Sequence, residues 1–229
     1  MVFFGVHPES KRRFVVQSIE GGGWGGRPFE DGESGTVSVC QGDVRNGSIE
    51  GIELKCPVVV QSRALRTDSC GAGKYRGGLG IDMQVKNLVE GKWNFEMPRR
   101  GKCPPWGIRG GTPGEPGGYL LKMPGEGKFT MRGGSHIPVP IGAEAIVRTG
   151  GGGGRGKPQD RDAALVAHDV AEGLISAAAA RKLYGVAVRG NMSLDESATR
   201  LLRKRLGSAP KAKPQKKAKP GKRAKGRRR

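Results

Sequence analysis

Glycine places the strongest constraint on this fold, because its residues occur in clusters. Glycine lacks a Cβ atom, so it lets two backbones approach closely and tolerates positive φ, at an entropic cost on folding. The 41 glycines and 15 prolines make up roughly a quarter of the 229 residues, just below the share at which non-periodic chains usually stay unfolded. Glycine does not recur at every third position, which excludes a collagen-like chain. The densest clusters lie at residues 21–26, 71–80, 107–118 and 150–154.

Residues 14 to about 148 predict a mostly antiparallel β region. Short apolar or alternating runs are separated there by Gly, Pro and Asp, which is typical of strands and turns. Trp93, Phe95 and Met97 alternate with polar residues and so share one face of a half-buried strand. The predicted strands are Phe14–Ile19, Gly35–Cys40, Ile49–Leu54, Val58–Arg63, Met83–Leu88, Trp93–Met97, Tyr119–Lys122, Phe129–Arg132, Ile137–Val139 and Ala145–Arg148.

The pattern changes to helix after the glycine run at 150–154. Asp160 can cap a first helix, in which Val166, Val170 and Leu174 recur at a spacing of four and lie on one face. Gly173 weakens the last turn of this predicted helix.

Two further helices are predicted before the C-terminal tail. The first runs from about Ser176 to Leu183 and stops at Gly185, a residue suited to the position after a helix C-terminus. The second begins at the capping-box spacing Ser193-x-x-Glu196. Its apolar residues are Ala198, Leu201, Leu202 and Leu206. The predicted fold class is α+β, β-rich to about residue 148 and helical over 160–206.

The charge is concentrated in the tail. The chain carries 41 Lys and Arg against 21 Asp and Glu, a net charge of +20, but 15 of the basic residues and no acid lie between Arg200 and Arg229. The remainder has a net charge of +5. The segment from Ser208 onward loosely repeats Ala-Lys-Pro and lacks aromatic residues, so it predicts a disordered basic tail over 207–229. Such a tail can bind nucleic acid or another polyanion non-specifically.

No apolar run approaches the roughly 20 residues of a membrane helix, and the N-terminus lacks the features of a secretory signal. We therefore expect a cytoplasmic protein with no membrane partner.

The cysteines form no C-x-x-C pair and are expected to be free thiols: Cys40, Cys56, Cys70 and Cys103. The histidines show no metal-binding spacing: His7, His136 and His168. The sequence predicts no metal site in this chain.

One glycine cluster comes close to a phosphate-binding motif. Gly151-x4-Gly156-Lys157 lies between a predicted strand and a predicted helix, which is the context of a P-loop. A P-loop then needs a Ser or Thr hydroxyl for magnesium, whereas Pro158 has neither a hydroxyl nor an amide hydrogen. We therefore interpret this cluster as a loop whose backbone passes close to another part of the protein.

Other residues with chemical potential form no catalytic constellation. Ser69-Cys70-Gly71 could present a nucleophile at a turn, but no base partner can be named. His168 and Asp169 are neighbours in a predicted helix and point about 100° apart, so a solvent-facing histidine is expected. The Arg-Gly-Gly triplets are too far apart for an RNA-binding segment and are interpreted as turns; they begin at Arg76, Arg109 and Arg132. The tryptophans are too dispersed for a base-stacking platform: Trp24, Trp93 and Trp106.

Several motifs in order resemble the hydantoinase B/oxoprolinase family. They are GGWGGRP at 22–28, RTDSCGAGKYRGGLG at 66–80 and PWGIRGGTPG at 105–114, followed by Thr149–Gly154, Arg161-Asp162, Asp169–Ser176 and Tyr184–Val186. The resemblance covers roughly residues 10 to 206 and identifies this segment with the C-terminal portion of a longer hydantoinase B-type subunit.

The resemblance implies a role in an ATP-dependent complex. Family members open cyclic amides such as hydantoins or 5-oxoproline together with a hydantoinase A-type subunit that handles ATP. Phosphorylation of the amide oxygen activates the ring carbonyl. The partners implied are that subunit and the N-terminal half of the B-type subunit, and ATP and a divalent metal are expected in the complete complex rather than in this chain. Related acetone and acetophenone carboxylases use a similar pair of subunits, which leaves a carboxylase component as an alternative.

No catalytic or cofactor-binding residue can be assigned from the sequence. Contacts to substrate or partner are to be sought first in the glycine-rich loops near Arg27, Asp68 to Arg76 and Gly150 to Lys157. Tight turns in a β structure are the alternative role for these loops. A further alternative is a non-catalytic fragment whose basic tail binds nucleic acid.

Overall fold

The structure, a computed structural model, describes residues 1–37, 47–95 and 103–208. Eleven strands lie in these ranges: β1 Val2–Val6, β2 Arg13–Gln17, β3 Val58–Leu65, β4 Ile81–Asn87, β5 Gly91–Phe95, β6 Gly118–Lys122, β7 Thr130–Met131, β8 Gly134–Val139, β9 Glu144–Arg148, β10 Ala187–Val188 and β11 Leu194–Asp195. The helices are α1 Ile49–Lys55, α2 Ala163–Ala171, α3 Ala177–Ala179 and α4 Glu196–Ser208, with a 3₁₀ turn at Pro158–Asp160 and a π-helical turn, Ala180–Tyr184, that continues α3.

The strands form three sheets. One has four strands in the order β2-β1-β5-β8, one has five in the order β3-β4-β9-β6-β7, and β10 and β11 form a small two-stranded sheet. Every pairing between these named strands is antiparallel. The structure confirms the predicted α+β class, with antiparallel sheets ahead of short helices.

The two large sheets share a hydrophobic core. On β5, Trp93 and Phe95 are both buried, and their ring centroids lie 5.6 Å apart in an edge-to-face arrangement. Phe3 of β1 adds a second edge-to-face contact with Trp93 at 5.9 Å. Each fully buried side chain of this size contributes roughly 1.5–3 kcal/mol through loss of apolar surface from water. The predicted common face of Trp93 and Phe95 is confirmed, and Met97 lies outside the described residues.

A second core joins the helices to a glycine-rich loop. Val166 and Val170 of α2 are buried with Leu79, Tyr184 and Val186. The four-residue spacing of the two valines therefore fulfils its predicted role, because it turns one apolar face of α2 toward the loop at 71–80.

The ends of α2 differ from the prediction. Its N-cap is Asp162, whose carboxylate accepts a hydrogen bond from the amide of Ala164 at 2.9 Å. Asp160 instead ends the 3₁₀ turn. The helix stops at Ala171, and Gly173 adopts a left-handed φ of 70°, so Leu174 lies beyond the helix. By contrast, the predicted helix start near Ser176 and the predicted stop at Gly185 are both confirmed, with Ser176 as the N-cap of α3 and a left-handed Gly185.

The predicted strand Ile49–Leu54 is wrong, because this segment forms α1. Ser48 caps the helix by accepting a hydrogen bond from the amide of Gly51 at 3.0 Å, and Glu50 lies in the first turn. Apolar and acidic residues are mixed in the run Ile49-Glu50-Gly51-Ile52-Glu53-Leu54, which suggested a strand. The Ser48 cap instead favours a helix.

The predicted capping box at Ser193 is also wrong. Asp195 accepts the hydrogen bond from the amide of Ala198 at 3.0 Å, while the Ser193 hydroxyl donates to Asn191.

Strand β1 was missed because the sequence prediction began at residue 14. Of the predicted strand Gly35–Cys40, only residues 35–37 are described, and Thr36 forms an isolated bridge with Gly22. The predicted tail falls outside the described residues from 209 onward.

Candidate functional site: the glycine-loop bundle

The four glycine clusters meet in one place. The segment Gly150–Gly156 is extended and runs through the middle of three others, residues 21–26, 71–80 and 107–117. We call these four segments the glycine-loop bundle. It unites the loops that the sequence marked as first candidates, although they lie up to about 130 residues apart along the chain.

Hydrogen bonds around the central segment recur every three residues. The carbonyls of Gly150 and Gly153 accept from the amides of Gly23 and Gly26, each at 2.9 Å. The amides of Gly151 and Gly154 donate in turn to the loop at 112–115, at 3.0 and 2.9 Å. A period of three is that of a polyproline II-type helix, which has no internal hydrogen bonds and must bond to its neighbours when buried.

Only glycine fits at the centre of this bundle. A Cβ atom on Gly151 or Gly152 would lie 1.8 Å from a backbone carbonyl oxygen, that of Ser69 or Trp24 respectively. The same atom on Gly153 or Gly154 would lie 2.1 Å from another carbonyl oxygen. These obstacles are backbone atoms of four different positions, so no side chain can turn away to make room. The predicted close backbone approach at this cluster is therefore confirmed.

The same bonds show why the cluster does not match a P-loop. A P-loop directs free backbone amides at phosphate oxygens. Here the amides of Gly151, Gly152, Gly154 and Arg155 all donate to carbonyls of neighbouring segments. The stem of Lys157 packs near Gly110, with its Cγ 3.2 Å from where a Cβ of Gly110 would be. The residues present do not fit a nucleotide phosphate.

A buried ion-pair cluster ties the bundle to the helices. Arg161 donates to both carboxylate oxygens of Asp31 at 2.7 and 2.8 Å and to Asp169 at 2.8 Å. Arg76 donates through Nε to the other oxygen of Asp169 at 3.2 Å. The Arg161 and Asp169 side chains are 3% and 5% exposed. Burial lowers the pKa of Arg161, but the hydrogen bonds and charges of Asp31 and Asp169 outweigh burial and raise it. The cluster has the geometry of a structural clamp.

Cys70 and Tyr184 lie beside this clamp and are not activated. Burial is the main cause that raises the pKa of the Cys70 thiol to about 11. The charge of Arg76 lowers this pKa by a smaller amount, and the charge of Asp169 raises it. Burial also raises the pKa of Tyr184. A nucleophilic thiol needs a lowered pKa. Ser69 is equally unsuited, since its hydroxyl donates to the carbonyl of Arg66 at 2.6 Å and accepts from the amide of Gly80.

A cleft of about 400 Å³ opens beside the bundle between the two large sheets. Several of its polar side chains already have partners within the protein. Arg148 donates to both carboxylate oxygens of Asp82, and the Thr149 hydroxyl donates to the Gly21 carbonyl. The cleft contains no paired nucleophile and base, so it offers shape and backbone polarity without a reactive group.

The remaining candidates lie apart from one another. His168 is exposed on α2, which confirms the predicted solvent-facing histidine, while Asp169 is buried in the clamp. Arg109 and Gly110 occupy a turn with φ of 52° and 92°, closed by the bond from the Gly111 amide to Ile108, so the turn interpretation is confirmed there. Among the residues that the structure describes, no three His, Cys, Asp or Glu side chains are grouped to hold a metal ion. No helix in the described ranges is long and apolar enough to cross a membrane.

The thiols give a direct test of this packing. Cys103 is exposed, whereas Cys56 and Cys70 are buried and free, and burial raises the pKa of Cys56 to about 12. At pH 8 we expect iodoacetamide to alkylate Cys103 in the native protein and to reach Cys56 and Cys70 only after unfolding in urea, as read by peptide mass mapping. Equal alkylation rates at Cys70 and Cys103 in the native protein would contradict the packing.

The two buried thiols, Cys56 and Cys70, predict a loss of stability at high pH. Well below pH 9 both are protonated in the folded and in the unfolded chain and add no pH dependence. Above their ordinary pKa of 9.0 the unfolded chain ionises them while the fold keeps Cys70 protonated up to about 11. The free energy of unfolding is therefore expected to fall from pH 9 to pH 11, measured by urea titration across this range.

Comparison with known proteins places this fold in a family. The sequence profile of Hydantoinase B/oxoprolinase matches residues 1–158. The beta chain of the caprolactamase of Pseudomonas jessenii is 32% identical over 170 residues, which are 70% of this chain and 28% of that protein. The B-type component of a putative D-/L-hydantoinase of Pseudomonas sp. (strain NS671) is 30% identical over 194 residues, 83% of this chain and 32% of its own length. The chain belongs to the hydantoinase B/oxoprolinase family.

Solved structures show the same fold. The crystal structure of the ATP-dependent caprolactamase from Pseudomonas jessenii matches with a TM-score of 0.74 and 29% identity, over 89% of this chain and 36% of that one. The nucleotide-free acetone carboxylase matches with a TM-score of 0.71 over 91% of this chain and 33% of its own, at 22% identity, and shows the fold alone. This chain thus spans between 28% and 36% of the length of these relatives and solved structures.

Proposed function

We propose that this chain is a component of an ATP-dependent cyclic-amide hydrolase of the hydantoinase and 5-oxoprolinase type. The observation that carries the proposal is the glycine-loop bundle, whose four segments hold the family motifs in order. Relatives at 30% identity or more include components of a caprolactamase and of a putative hydantoinase. A lactam or hydantoin ring is therefore the proposed substrate class.

The chain is proposed to act with other polypeptides. It spans about a third of its relatives, and its described residues present no nucleophile and base together. We propose that residues 1–206 are the C-terminal portion of a B-type subunit and that 207–229 form a tail. The other components are the N-terminal half of that subunit and a hydantoinase A-type subunit, in a cytoplasmic complex.

ATP and a divalent metal are proposed to bind elsewhere in the complex. Five of the six amides of the Gly151–Gly156 loop donate to carbonyls of neighbouring segments, and no described cluster of side chains fits a metal ion. Bound ATP would supply a phosphoryl group that activates the amide carbonyl. This chain would contribute a rigid wall, because the bundle fixes its loops by backbone bonds and the Asp31–Arg161–Asp169 clamp holds that wall to the helices.

Co-expression with the two proposed components tests this function. We expect the purified complex to hydrolyse caprolactam, hydantoin or 5-oxoproline only when MgATP is present, measured as ring-opened product and ADP by liquid chromatography. Acetone with bicarbonate serves as the substrate pair for a carboxylase. Turnover of that pair with no cyclic-amide hydrolysis would replace the hydrolase proposal by a carboxylase component, and no ATP-dependent turnover of any of them would contradict both.

A further inference from the structure

One end of the glycine-loop bundle carries a large apolar side chain on firmly held backbone. Trp106 is 80% exposed, and Ile108, two residues further on, is 40% exposed. The Ile108 amide donates to the Gly154 carbonyl, and the Ile108 carbonyl accepts from the Gly156 amide, each at 3.0 Å. The central segment therefore holds this backbone while the indole ring stays in solvent. Tryptophan is among the side chains that are enriched in the buried cores of protein–protein interfaces.

Backbone pairing brings further side chains to the same surface. Arg155 pairs with Tyr75 in an antiparallel bridge and with Ile108 in a parallel bridge. Paired residues direct their side chains to the same side of a sheet, so these three side chains share one side of the ribbon. The carbonyl oxygen of Trp106 lies 2.1 Å from where a Cβ of Gly153 would be, which places Trp106 beside the same central segment.

This end of the bundle is also cationic. Cβ of Lys74 lies 3.1 Å from the Cβ position of Gly156, and Cγ of Lys157 lies 3.2 Å from that of Gly110. Arg109 and Arg155 lie between these contacts along the two paired segments. Within the described ranges, none of the four cations forms an ion pair. We call six residues the bundle end: Lys74, Trp106, Ile108, Arg109, Arg155 and Lys157.

The chemistry of the bundle end favours an acidic protein surface as its partner. Its four cations attract carboxylates, which speeds and orients association. Its indole ring leaves water fully only in an apolar recess, as protein interfaces provide. A single-stranded nucleic acid would instead stack successive bases on several aromatic rings. Here Trp106 is highly exposed, whereas Tyr75 is half-buried with Nζ of Lys74 over its ring at 5.5 Å.

The relatives indicate which polypeptide supplies such a surface. The matched segment is 28% of the caprolactamase beta chain and 36% of the solved caprolactamase chain. The remainder of each chain is tethered to this segment and so is present beside it at a high effective concentration. We propose that the bundle end docks the N-terminal half of the B-type subunit, through an acidic face with an apolar recess for Trp106. This inference rests on the proposed function, which supplies that half as a component.

The test titrates the full chain with the purified polypeptide that carries the N-terminal half, and measures Kd and the rate constants by biolayer interferometry. Trp106→Ala is expected to weaken binding at least about ten-fold, because a tryptophan buried at the centre of an interface contributes strongly to affinity. Lys74→Gln/Lys157→Gln is expected to slow association at least roughly three-fold at low salt and to reduce its dependence on salt.

Matched controls change the same chemistry elsewhere. Leu54→Ala removes an apolar side chain that is 87% exposed on α1. Lys86→Gln/Lys92→Gln removes two exposed charges from β4 and β5. Both controls are expected to bind within about two-fold of the unmodified chain. An unchanged Kd for Trp106→Ala, or equal losses in the test and control variants, would overturn the proposal. Circular dichroism establishes that all four variants are folded.

Other occupants are separated by the same tryptophan variant. Binding that is lost in Trp106→Ala, but occurs only with the hydantoinase A-type subunit, with oligothymidine or with a second copy of this chain, would overturn the assignment to the N-terminal half. Sedimentation velocity detects the second copy.

ATP-dependent ring opening in the reconstituted complex is measured separately. Turnover with no binding between this chain and the N-terminal half would overturn the docking and leave the proposed function standing. Trp106-dependent binding without turnover would support the docking and contradict the hydrolase.

Discussion

Gly152→Ala is expected to destabilise the protein by about 3 kcal/mol or more, which is at the upper end of single-residue effects. A Cβ at this position would lie 1.8 Å from the carbonyl oxygen of Trp24, and that carbonyl is itself fixed by the amide of Gly78 at 2.8 Å. Relief would require the segments at 21–26 and 71–80 to separate from Gly150–Gly156. Several backbone hydrogen bonds would then be lost together.

Thermal and urea unfolding followed by circular dichroism measure this effect. For a domain of this size a loss of about 3 kcal/mol corresponds to a fall in Tm of roughly 6–12 °C. Gly127→Ala is the matched control, since no heavy atom lies within 4 Å of its Cβ position and its φ is not in the left-handed region. We expect the control to stay within about 0.5 kcal/mol of the unmodified protein. A Gly152→Ala protein as stable as Gly127→Ala would show that the bundle is not tightly packed.

Asp169→Ala is expected to cost about 3–5 kcal/mol, because it leaves the buried guanidinium groups of Arg161 and Arg76 to share one carboxylate, that of Asp31. Asp169 accepts from Arg161 at 2.8 Å and from Arg76 at 3.2 Å, and Arg161 is 3% exposed. Asp31 would remain as a ligand of Arg161, but its side chain is 30% exposed and already uses both oxygens. The charge lost from the centre of the clamp cannot be replaced by water.

The ion pair between Glu196 and Arg200 provides the control for this variant. Both side chains are largely exposed, so Glu196→Gln should change the free energy of unfolding by less than about 0.5 kcal/mol. The comparison separates burial from the mere presence of an ion pair, and it is read from urea unfolding of the two variants side by side. Similar small changes in both variants would contradict a clamp at Asp169.

The sequence predicted local features better than their assembly. Trp93 and Phe95 share a buried face as their alternation indicated, and Gly185 ends its helix with a left-handed φ of 65°. These outcomes depend on short-range geometry. The strand predicted at Ile49–Leu54 was wrong for a local reason too, because Ser48 caps a helix there. A search for capping residues before apolar runs would have found α1.

Convergence of the glycine clusters could not be read from their spacing. The bonds from Gly23 to Gly150 and from Gly26 to Gly153 join segments about 127 residues apart, and nothing local specifies such a pairing. The single signal was the density of glycine itself, which indicated close backbone approach without naming the partner. Asp169 was likewise treated as a helical neighbour of His168, because its partners Arg161 and Arg76 become adjacent to it only in the fold.

The charge also divides differently once the fold is known. Eleven basic residues follow α4 in the sequence, over 209–229, whereas the arginines of the clamp are buried in the folded domain. Arg161 and Arg76 are paired with aspartates and stabilise the fold, whereas Arg200 is exposed and pairs with Glu196 at 3.7 Å. Net charge alone would not have separated these two uses of arginine.

An omission experiment with the reconstituted complex tests the proposed function most directly. The N-terminal half of the B-type subunit, the hydantoinase A-type subunit and this chain are mixed, and ATP-dependent ring opening is measured with each component left out in turn. We expect turnover only when all three are present, and we expect Gly127→Ala to support it fully. Unchanged turnover in the mixture that lacks this chain would contradict its assignment as a component of the hydrolase.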